Sequence, residues 1–171
     1  MKTLYLLRHA KSHWGDPGLD DHDRPLDPRG ERAVAVMGVH FAQQGYQPSL
    51  VLCSSARRTR ETLDSLLPHL PVHPELLIEQ RIYLASGGQL LARVQEIDDG
   101  QSQLLLIGHN PGIANLARTL AGSGARAPLR HLAARFPTAA LAVCEFDLER
   151  WRDLAPESGR LLAYTTPKDL V

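Results

Sequence analysis

The chain has 171 residues, enough for one domain with a substantial core, and its 19 basic residues balance its 19 acidic ones. A net charge of zero excludes a global field that would attract nucleic acid or an anionic membrane, so any basic site must be local. No apolar run approaches the length of a membrane span or of a signal-peptide core. Cys53 and Cys144 lie in apolar runs, which is typical of buried free thiols in a reducing compartment. We therefore expect a single cytoplasmic domain over residues 1–171, with no nucleic acid or membrane partner.

The first part of the chain predicts a strand, a long loop and a helix. Residues 3–7 form a short apolar run that favours a buried strand. The loop over residues 11–27 is rich in Gly, Pro and Asp, and loops of this length are often functional. Asp27 is the expected N-cap of a helix that runs to about Gln44, where Gly45 supplies a stop.

A second strand and helix follow. The strand is predicted over residues 49–53, and Ser54 or Ser55 is the expected cap of the helix after it, which ends before Pro68. Residues 68–88 are predicted to be irregular.

The rest of the chain continues the alternation of helices and strands. The predicted elements are, in order, a helix over 89–97, a strand over 103–107, a helix from Pro111 that Gly122 and Gly124 end, a connection with a short helix over 125–137, and strands over 138–146 and 161–165. Asn110 is the expected N-cap of the helix that Pro111 begins. This order predicts an α/β fold, a three-layer αβα sandwich with a mostly parallel central sheet.

Two histidines follow two of the predicted strands directly. His9 comes after residues 3–7 with Arg8 beside it, and His109 comes after residues 103–107. If both strands run parallel in one sheet, both imidazoles emerge at the edge where such sheets bind ligands. A neutral imidazole can attack phosphorus, and a guanidinium binds phosphoryl oxygens. Taken alone, the Arg8–His9 pair is more often a solvated strand end.

Three arginines open the helix after the second strand. Arg57 and Arg60 are one turn apart and share a side, whereas Arg58 points elsewhere. The N-terminus of a helix favours an anion, so this region is a candidate phosphate site. The alternative is a solvated basic face that pairs with Glu61.

The second histidine sits between a strand and a helix start. Capping and helix initiation account for Asn110 and Pro111 but leave His109 without a structural role. A histidine held rigidly in this way suits a donor to a transition state.

These three sites, in this order, resemble the motifs of the histidine phosphatase superfamily, whose fold is phosphoglycerate mutase-like. The similar segments are Leu7-Arg8-His9 followed by Ser12, with Ala10 in place of a Gly of the signature, then residues 54–62 with Arg58 on the key arginine, and Gly108-His109 as the second-histidine element. Residues 8–12 and 23–30, together with the short chain, resemble the SixA branch. That branch comprises phosphohistidine phosphatases that act on phosphotransfer domains of signalling relays.

The resemblance implies a two-step mechanism. His9 attacks the phosphoryl group, becomes phosphohistidine and is then hydrolysed by water, while Arg8, Arg58 and His109 hold the phosphoryl oxygens. Ser12 is an expected substrate-binding residue. No metal and no other cofactor is expected, because arginines and imidazoles supply the positive charge.

A departure from the family pattern concerns the general acid. Many members carry an acid in a Glu-Arg-x-Tyr-like element, and in residues 79–83 the matching position is Gln80. Glutamine cannot protonate an alkoxide, so its presence favours a substrate with a better leaving group, such as phosphohistidine. Glu79, one position away, is the candidate acid. The alternatives are three carboxylates of the long loop, Asp16, Asp20 and Asp23.

The expected function is therefore removal of phosphate from the phosphohistidine of a phosphotransfer signalling protein, by a chain that acts as a monomer. The alternative is a small-molecule phosphomonoesterase of the same superfamily. A phosphate-binding module without catalysis would require the loss of a core residue, and none of the four is lost: Arg8, His9, Arg58 and His109.

Overall fold

The computed structural model of the chain describes all residues, 1–171. The strands are β1 (Lys2–Arg8), β2 (Leu50–Ser54), β3 (Glu75–Glu79), β4 (Gln103–Gly108), β5 (Ala121–Gly124), β6 (Leu141–Phe146) and β7 (Gly159–Thr165). The helices are α1 (Pro28–Gln44), α2 (Arg57–Leu66), α3 (Gly87–Gln95), α4 (Gly112–Leu120) and α5 (Arg126–Ala134). None of the helices has the length and apolar character needed to cross a bilayer.

All seven strands form one sheet in the order β3-β2-β4-β1-β6-β7-β5. Strand β6 runs antiparallel to both of its neighbours, and every other adjacent pair is parallel. The prediction of a mostly parallel sheet is confirmed. Because β2, β4 and β1 are adjacent and parallel, their carboxyl ends lie together at one edge.

Side chains alternate across the sheet and divide the core in two. In β1, Leu4 and Leu6 pack with the helices α3, α4 and α5, whereas Tyr5 and Leu7 pack with α1 and α2 on the other face. Both faces of the central strands are therefore buried, as expected for a parallel sheet covered on both sides. The predicted three-layer αβα sandwich is confirmed.

Two edge strands were not expected from the sequence. Residues 68–88, predicted to be irregular, contain β3, whose apolar run is only the three residues 76–78 between two glutamates. Gly122 and Gly124, predicted to end a helix, lie instead in the short strand β5. A Cβ at Gly122 would lie 1.9 Å from the carbonyl oxygen of Glu157, so a close backbone contact requires glycine there.

The predicted ends of α1 are confirmed, and they matter for the site. The Asp27 side chain accepts a hydrogen bond from the backbone N–H of Gly30 at 2.7 Å, and Gly45 ends the helix in the left-handed conformation. A Cβ at Gly30 would lie 2.0 Å from the carbonyl oxygen of Lys11. Only glycine therefore lets α1 begin directly against the segment that follows β1.

Other predicted helix boundaries are wrong. The N-caps of α2 and α4 are Ala56 and Pro111, and neither helix has a side-chain cap. Ser54, Ser55 and Asn110 make tertiary hydrogen bonds instead, because each is drawn to a partner near the strand ends or the long loop.

Helices α3 and α5 refine two more predictions. Helix α3 begins two residues earlier than predicted, because Ser86 and Gln89 form a reciprocal capping box at its start. The short helix expected within residues 125–137 is present as α5. Cys53 and Cys144 are buried free thiols, and burial raises the pKa of each to about 12.

Candidate active site

The carboxyl ends of three parallel strands bring the two histidines together. Arg8 of β1 lies opposite Gly108 of β4, so His9 and His109 leave the sheet side by side, with ring centroids 5.3 Å apart. Strand β2 flanks β4 on its other side and ends at Ser54. The edge at which open α/β sheets bind ligands therefore carries both imidazoles.

The backbone around His9 is held from three directions. Its N–H donates to the carbonyl of Gly108 at 3.1 Å, and its own carbonyl accepts from the N–H of Ala139 at 3.0 Å. Ala139 has a φ of 59°, a left-handed conformation that costs energy for a residue with a Cβ. The N–H of Ala10 donates to Thr62 Oγ1 at 3.1 Å. These contacts tie the histidine to β4, to α2 and to the segment before β6.

The His9 ring is buried and has a defined tautomer. Its Nδ1 lies 2.7 Å from the carbonyl oxygen of Ala10, and because a carbonyl only accepts, Nδ1 carries the proton. The lone pair is therefore on Nε2. Burial, opposed by the Ala10 hydrogen bond and aided by the charges of His109 and Arg58, lowers the pKa of His9 to about 3. The imidazole is neutral at physiological pH and can act as a nucleophile.

Arg58 is a buried guanidinium in the first turn of α2. Its Nη1 donates to the carbonyl of Asp21 at 2.7 Å, and its Nη2 donates to Asp21 Oδ2 at 3.1 Å. Its Nε is buried and has no partner in the protein. Arg57 and Arg60, on the other side of the helix, are exposed, as the spacing predicts. Only one of the three arginines therefore enters the site.

Arg8 adds a second guanidinium. Its Nη1 donates to the carbonyl of Phe136 at 3.1 Å, and its Nε is buried without a partner, like that of Arg58. Burial and the charge of Arg58 lower the pKa of Arg8, yet a guanidinium remains charged at neutral pH. Asn110 donates to the same Phe136 carbonyl at 2.7 Å, so the expected helix cap instead anchors the wall of the site.

His109 has both ring nitrogens engaged. Its Nδ1 lies 3.3 Å from Nη2 of Arg58, which only donates, so Nδ1 accepts and Nε2 carries the proton. That Nε2–H donates to Ser54 Oγ at 2.7 Å. Burial and the charge of Arg58 lower the pKa of His109 to about 3. In this arrangement His109 orients Arg58, and donation to a phosphoryl oxygen requires a second proton on Nδ1.

The candidate acid is not brought to this site. Glu79 accepts two hydrogen bonds from Arg93, at 2.7 and 2.8 Å, and these bonds lower the pKa of its carboxyl. Glu79 is the last residue of the edge strand β3. Its side chain is directed toward Arg93 of α3, and not into the site. The three alternative carboxylates are also absent from the lining of the site: Asp16, Asp20 and Asp23.

Asp21 is the carboxylate that does reach the site, and the sequence did not distinguish it from the other aspartates of the loop. It contacts Arg58, forms an ion pair with Arg24 at 3.0 Å and accepts a hydrogen bond from the hydroxyl of Tyr83. Partial burial raises its pKa, but the Tyr83 hydrogen bond and the charge of Arg58 outweigh this and lower it to about 2. Asp21 is therefore ionised.

Ser12 and Arg24 complete the outer wall. Arg24 Nη1 donates to Ser12 Oγ at 2.7 Å, and its guanidinium stacks on the exposed ring of Trp14 at 3.6 Å. Ser12 is buried beneath this arginine. Arg24 and Trp14 were not identified from the sequence as site residues, because their contacts depend on how the long loop folds back.

These side chains line an open cavity of about 450 Å³, and ten of its twelve lining residues have polar or charged side chains. We call it the pocket; its lining comprises Arg8, His9, Lys11, Ser12, Trp14, Asp21, Arg24, Arg58, Leu84, His109, Asn110 and Thr138. No group of three or more His, Cys, Asp or Glu side chains is placed to hold a metal ion. Two guanidinium groups and a neutral imidazole that line one cavity suit an anion with several oxygens, such as a phosphoryl group.

Comparison with known proteins agrees with this geometry. The sequence profile of the Histidine phosphatase superfamily (branch 1) matches residues 4–82. A protein of Mycobacterium tuberculosis with no assigned function is 34% identical over 164 residues, which cover 95% of this chain and 100% of that one.

Two solved structures are similar over nearly the whole chain, and both are provisionally assigned as the phosphohistidine phosphatase SixA. The one from Nakamurella multipartitia has a TM-score of 0.82 at 28% identity, covering 97% of this chain and 96% of that one. The one from Agrobacterium tumefaciens has a TM-score of 0.78 at 28% identity, covering 97% and 98%. The chain belongs to the histidine phosphatase superfamily, in its SixA-like branch.

Proposed function

We propose that the protein is a phosphatase in which His9 is the nucleophile and whose substrate is the phosphohistidine of a phosphotransfer protein. One observation carries the proposal. The buried, neutral ring of His9 has its Nδ1–H bound to the Ala10 carbonyl, so Nε2 is free to attack in a pocket that Arg8 and Arg58 also line.

In the first step, Nε2 of His9 forms a bond to phosphorus while the bond from phosphorus to the substrate nitrogen breaks. The substrate ring carries a proton on its other nitrogen, so it departs as neutral imidazole. In the second step, a water oxygen attacks phosphorus and the bond to Nε2 breaks, releasing inorganic phosphate and restoring the neutral ring. The hydrogen bond from Nδ1 to Ala10 stabilises the positive charge that the phosphorylated imidazole carries.

The remaining groups bind the phosphoryl oxygens. The guanidinium N–H groups of Arg8 and Arg58 neutralise charge that spreads over these oxygens in the transition state. The hydroxyl of Ser12 accepts from Arg24, which leaves its own proton available to an oxygen. His109 accepts from Arg58 through Nδ1 and so holds its guanidinium in place.

The choice of substrate rests on the leaving group. An alkoxide leaving group needs a protonated acid, but Glu79 is bound to Arg93 and Asp21 is ionised with a pKa of about 2. Phosphohistidine leaves as imidazole and needs less help. The similarity to structures assigned as SixA supports the same substrate.

We also propose that the chain acts as a single domain and as a monomer in the cytoplasm, without a metal or other cofactor. The cations that a phosphoryl group needs are arginines of the pocket. The buried free thiols of Cys53 and Cys144 suit a reducing compartment.

The test is a trapped intermediate. The protein is incubated briefly with phosphoramidate carrying labelled phosphate and quenched in alkali; we expect stable label that acid releases. The His9→Ala variant should carry none, whereas His13→Ala, which removes an exposed histidine outside the pocket, should label normally. Equal label in His9→Ala would reject His9 as the nucleophile.

A substrate comparison tests the second half of the proposal. Turnover of a phosphotransfer domain phosphorylated on histidine is compared with turnover of sugar and nucleotide monophosphates. We expect a higher kcat/KM for the domain. A preference of several orders of magnitude for a metabolite would instead make the protein a small-molecule phosphomonoesterase.

A further inference from the structure

A second and larger depression adjoins the pocket. It has a volume of about 580 Å³ and shares Lys11 and Thr138 with the pocket, so the two are continuous. We call it the basic groove. Four separate parts of the chain build it: the segment after β1, the start of α1, the end of α5 with the residues that follow it, and the end of β7 with the last turn of the chain.

The charge of the groove is unbalanced in a chain whose net charge is zero. Four exposed cations line it, namely Lys11, Arg29, Arg135 and Lys168, and none of them forms an ion pair. The one carboxylate in the lining, Asp169, accepts hydrogen bonds from the backbone and hydroxyl of Thr166 and caps its own helical turn. The groove thus presents local positive charge with little compensation.

The groove differs in kind from a site for a small anion. In the pocket, the side chains of His9, Arg58 and His109 are buried and held by hydrogen bonds, which suits a compact ligand. In the groove, the cations stand on long, exposed side chains around an apolar wall that includes Ala33 and Tyr164. Exposed cations of this kind attract and orient a charged surface more than they fix a single ion.

We infer that the basic groove docks an acidic surface of the phosphorylated protein substrate, next to the histidine whose phosphoryl group enters the pocket. This inference rests on the proposed function, because it requires that the phosphoryl group is carried by a protein. Carboxylates of the partner meet the four cations, and Lys11 contacts both the docked surface and the entering phosphate.

The test uses charge reversal in the groove with a matched control. The double variant Arg135→Glu with Lys168→Glu changes two cations that line the groove and not the pocket. The control, Arg126→Glu with Arg152→Glu, makes the same change in charge at two exposed, unpaired arginines that line neither. Circular dichroism and thermal unfolding verify that both variants fold.

Three substrates separate the outcomes: a phosphotransfer domain phosphorylated on histidine, free phosphohistidine, and a small molecule with two phosphate groups. For the groove variant we expect kcat/KM on the domain to fall by about tenfold or more, and to lose most of its dependence on salt. Turnover of free phosphohistidine should stay within about twofold of the wild type. The exposed charges of the basic groove act mainly on the association of the enzyme with a charged protein surface. The control variant should match the wild type on all three.

Each other result contradicts a specific statement. If both phosphohistidine substrates are hydrolysed and the groove variant leaves the domain unaffected, the docking inference is wrong while the proposed function stands. If the variant impairs only the bisphosphorylated molecule, the groove binds a second small anion, and docking is again rejected. If neither phosphohistidine substrate is hydrolysed, the proposed function itself fails.

Discussion

The pocket has a floor and a rim that are built in different ways. The floor consists of His9, Arg58 and His109, which are buried and stand on strand ends and on α2. The rim consists of Asp21 and Arg24, which come from the long loop and hold each other through an ion pair. Folding positions the floor before any ligand arrives, so its charges need no rearrangement during reaction. The rim is more exposed and modulates what the floor binds.

The largest effect is expected from removing His9, the proposed nucleophile, from the floor. The His9→Ala variant should lose activity on phosphohistidine by at least about 10⁴-fold, because no other group can take over a covalent step. Initial rates on a phosphorylated phosphotransfer domain measure this loss, with His13→Ala as the control. A His9→Ala protein within tenfold of the wild type would show that the floor acts only by binding.

The next effect concerns the buried guanidinium of the floor. Arg58→Met should lower kcat by on the order of 10²- to 10³-fold, as expected for the loss of a preorganised donor to the transition state. It should also raise the pKa of His109, because the charge of Arg58 now helps to lower it. Carbon-bound proton NMR of the His109 ring follows that titration. An unchanged pKa would mean that burial alone accounts for the shift.

The two neutral histidines of the floor make the fold sensitive to acid. His9 and His109 have a pKa of about 3 when folded, against 6.5 for an ordinary histidine. Between these values the unfolded chain binds more protons than the folded one, so the free energy of unfolding falls as pH decreases from about 6.5 toward 3. The stabilisation that comes from keeping these two histidines neutral is fully present only above about pH 6.5.

Urea unfolding at several pH values measures this slope. The variant His109→Gln, which removes one of the two groups while keeping a donor for Ser54, should make it shallower. An identical slope in the variant would show that His109 is not held neutral by the fold. Activity should persist well below pH 6.5, since His9 stays unprotonated in the free enzyme.

The sequence placed the two histidines of the floor at one edge but did not single out the rim, and the reason is physical. His9 and His109 follow apolar runs that favour buried strands, and parallel pairing brings them to one edge. Arg58 was assigned by the resemblance to the histidine phosphatase superfamily. Asp21 has no such constraint. It lies in a loop with several other aspartates, and only the tertiary contacts with Arg58 and Tyr83 select it.

The missed elements have a similar cause. Strand β3 is at an edge and half-exposed, and its apolar run of three residues, 76–78, is shorter than the runs that revealed β1, β2 and β4. The predicted N-caps of α2 and α4 were wrong because Ser54 and Asn110 have other partners in the folded chain. Ser54 accepts from the ring of His109, and Asn110 donates to the carbonyl of Phe136. Local capping preference does not include such distant partners.

A substitution in the rim is expected to have a smaller effect, and to strengthen phosphate binding instead of lowering activity. Asp21→Asn keeps a polar side chain but removes the negative charge next to Arg58, so inorganic phosphate should bind more tightly. We expect its inhibition constant to fall by about fivefold, which corresponds to ~1 kcal/mol of charge interaction in a solvated site. Tyr83→Phe, which removes a hydrogen bond to Asp21 but no charge, is the control. Weaker phosphate binding in Asp21→Asn would mean that the carboxylate acts by orienting Arg58.

The smallest effect on activity is expected where the sequence had placed an acid. Glu79→Gln breaks the paired hydrogen bonds with the largely buried Arg93, so the free energy of unfolding should fall by about 1–2 kcal/mol. Because Glu79 lies outside the pocket, kcat/KM on phosphohistidine should stay within about twofold. Glu96→Gln, at an exposed ion pair with Arg81, should change neither quantity appreciably. A large loss of activity in Glu79→Gln with unchanged stability would show that the carboxylate reaches the leaving group during turnover. The end of β3 would then belong to the reacting part of the site together with the floor.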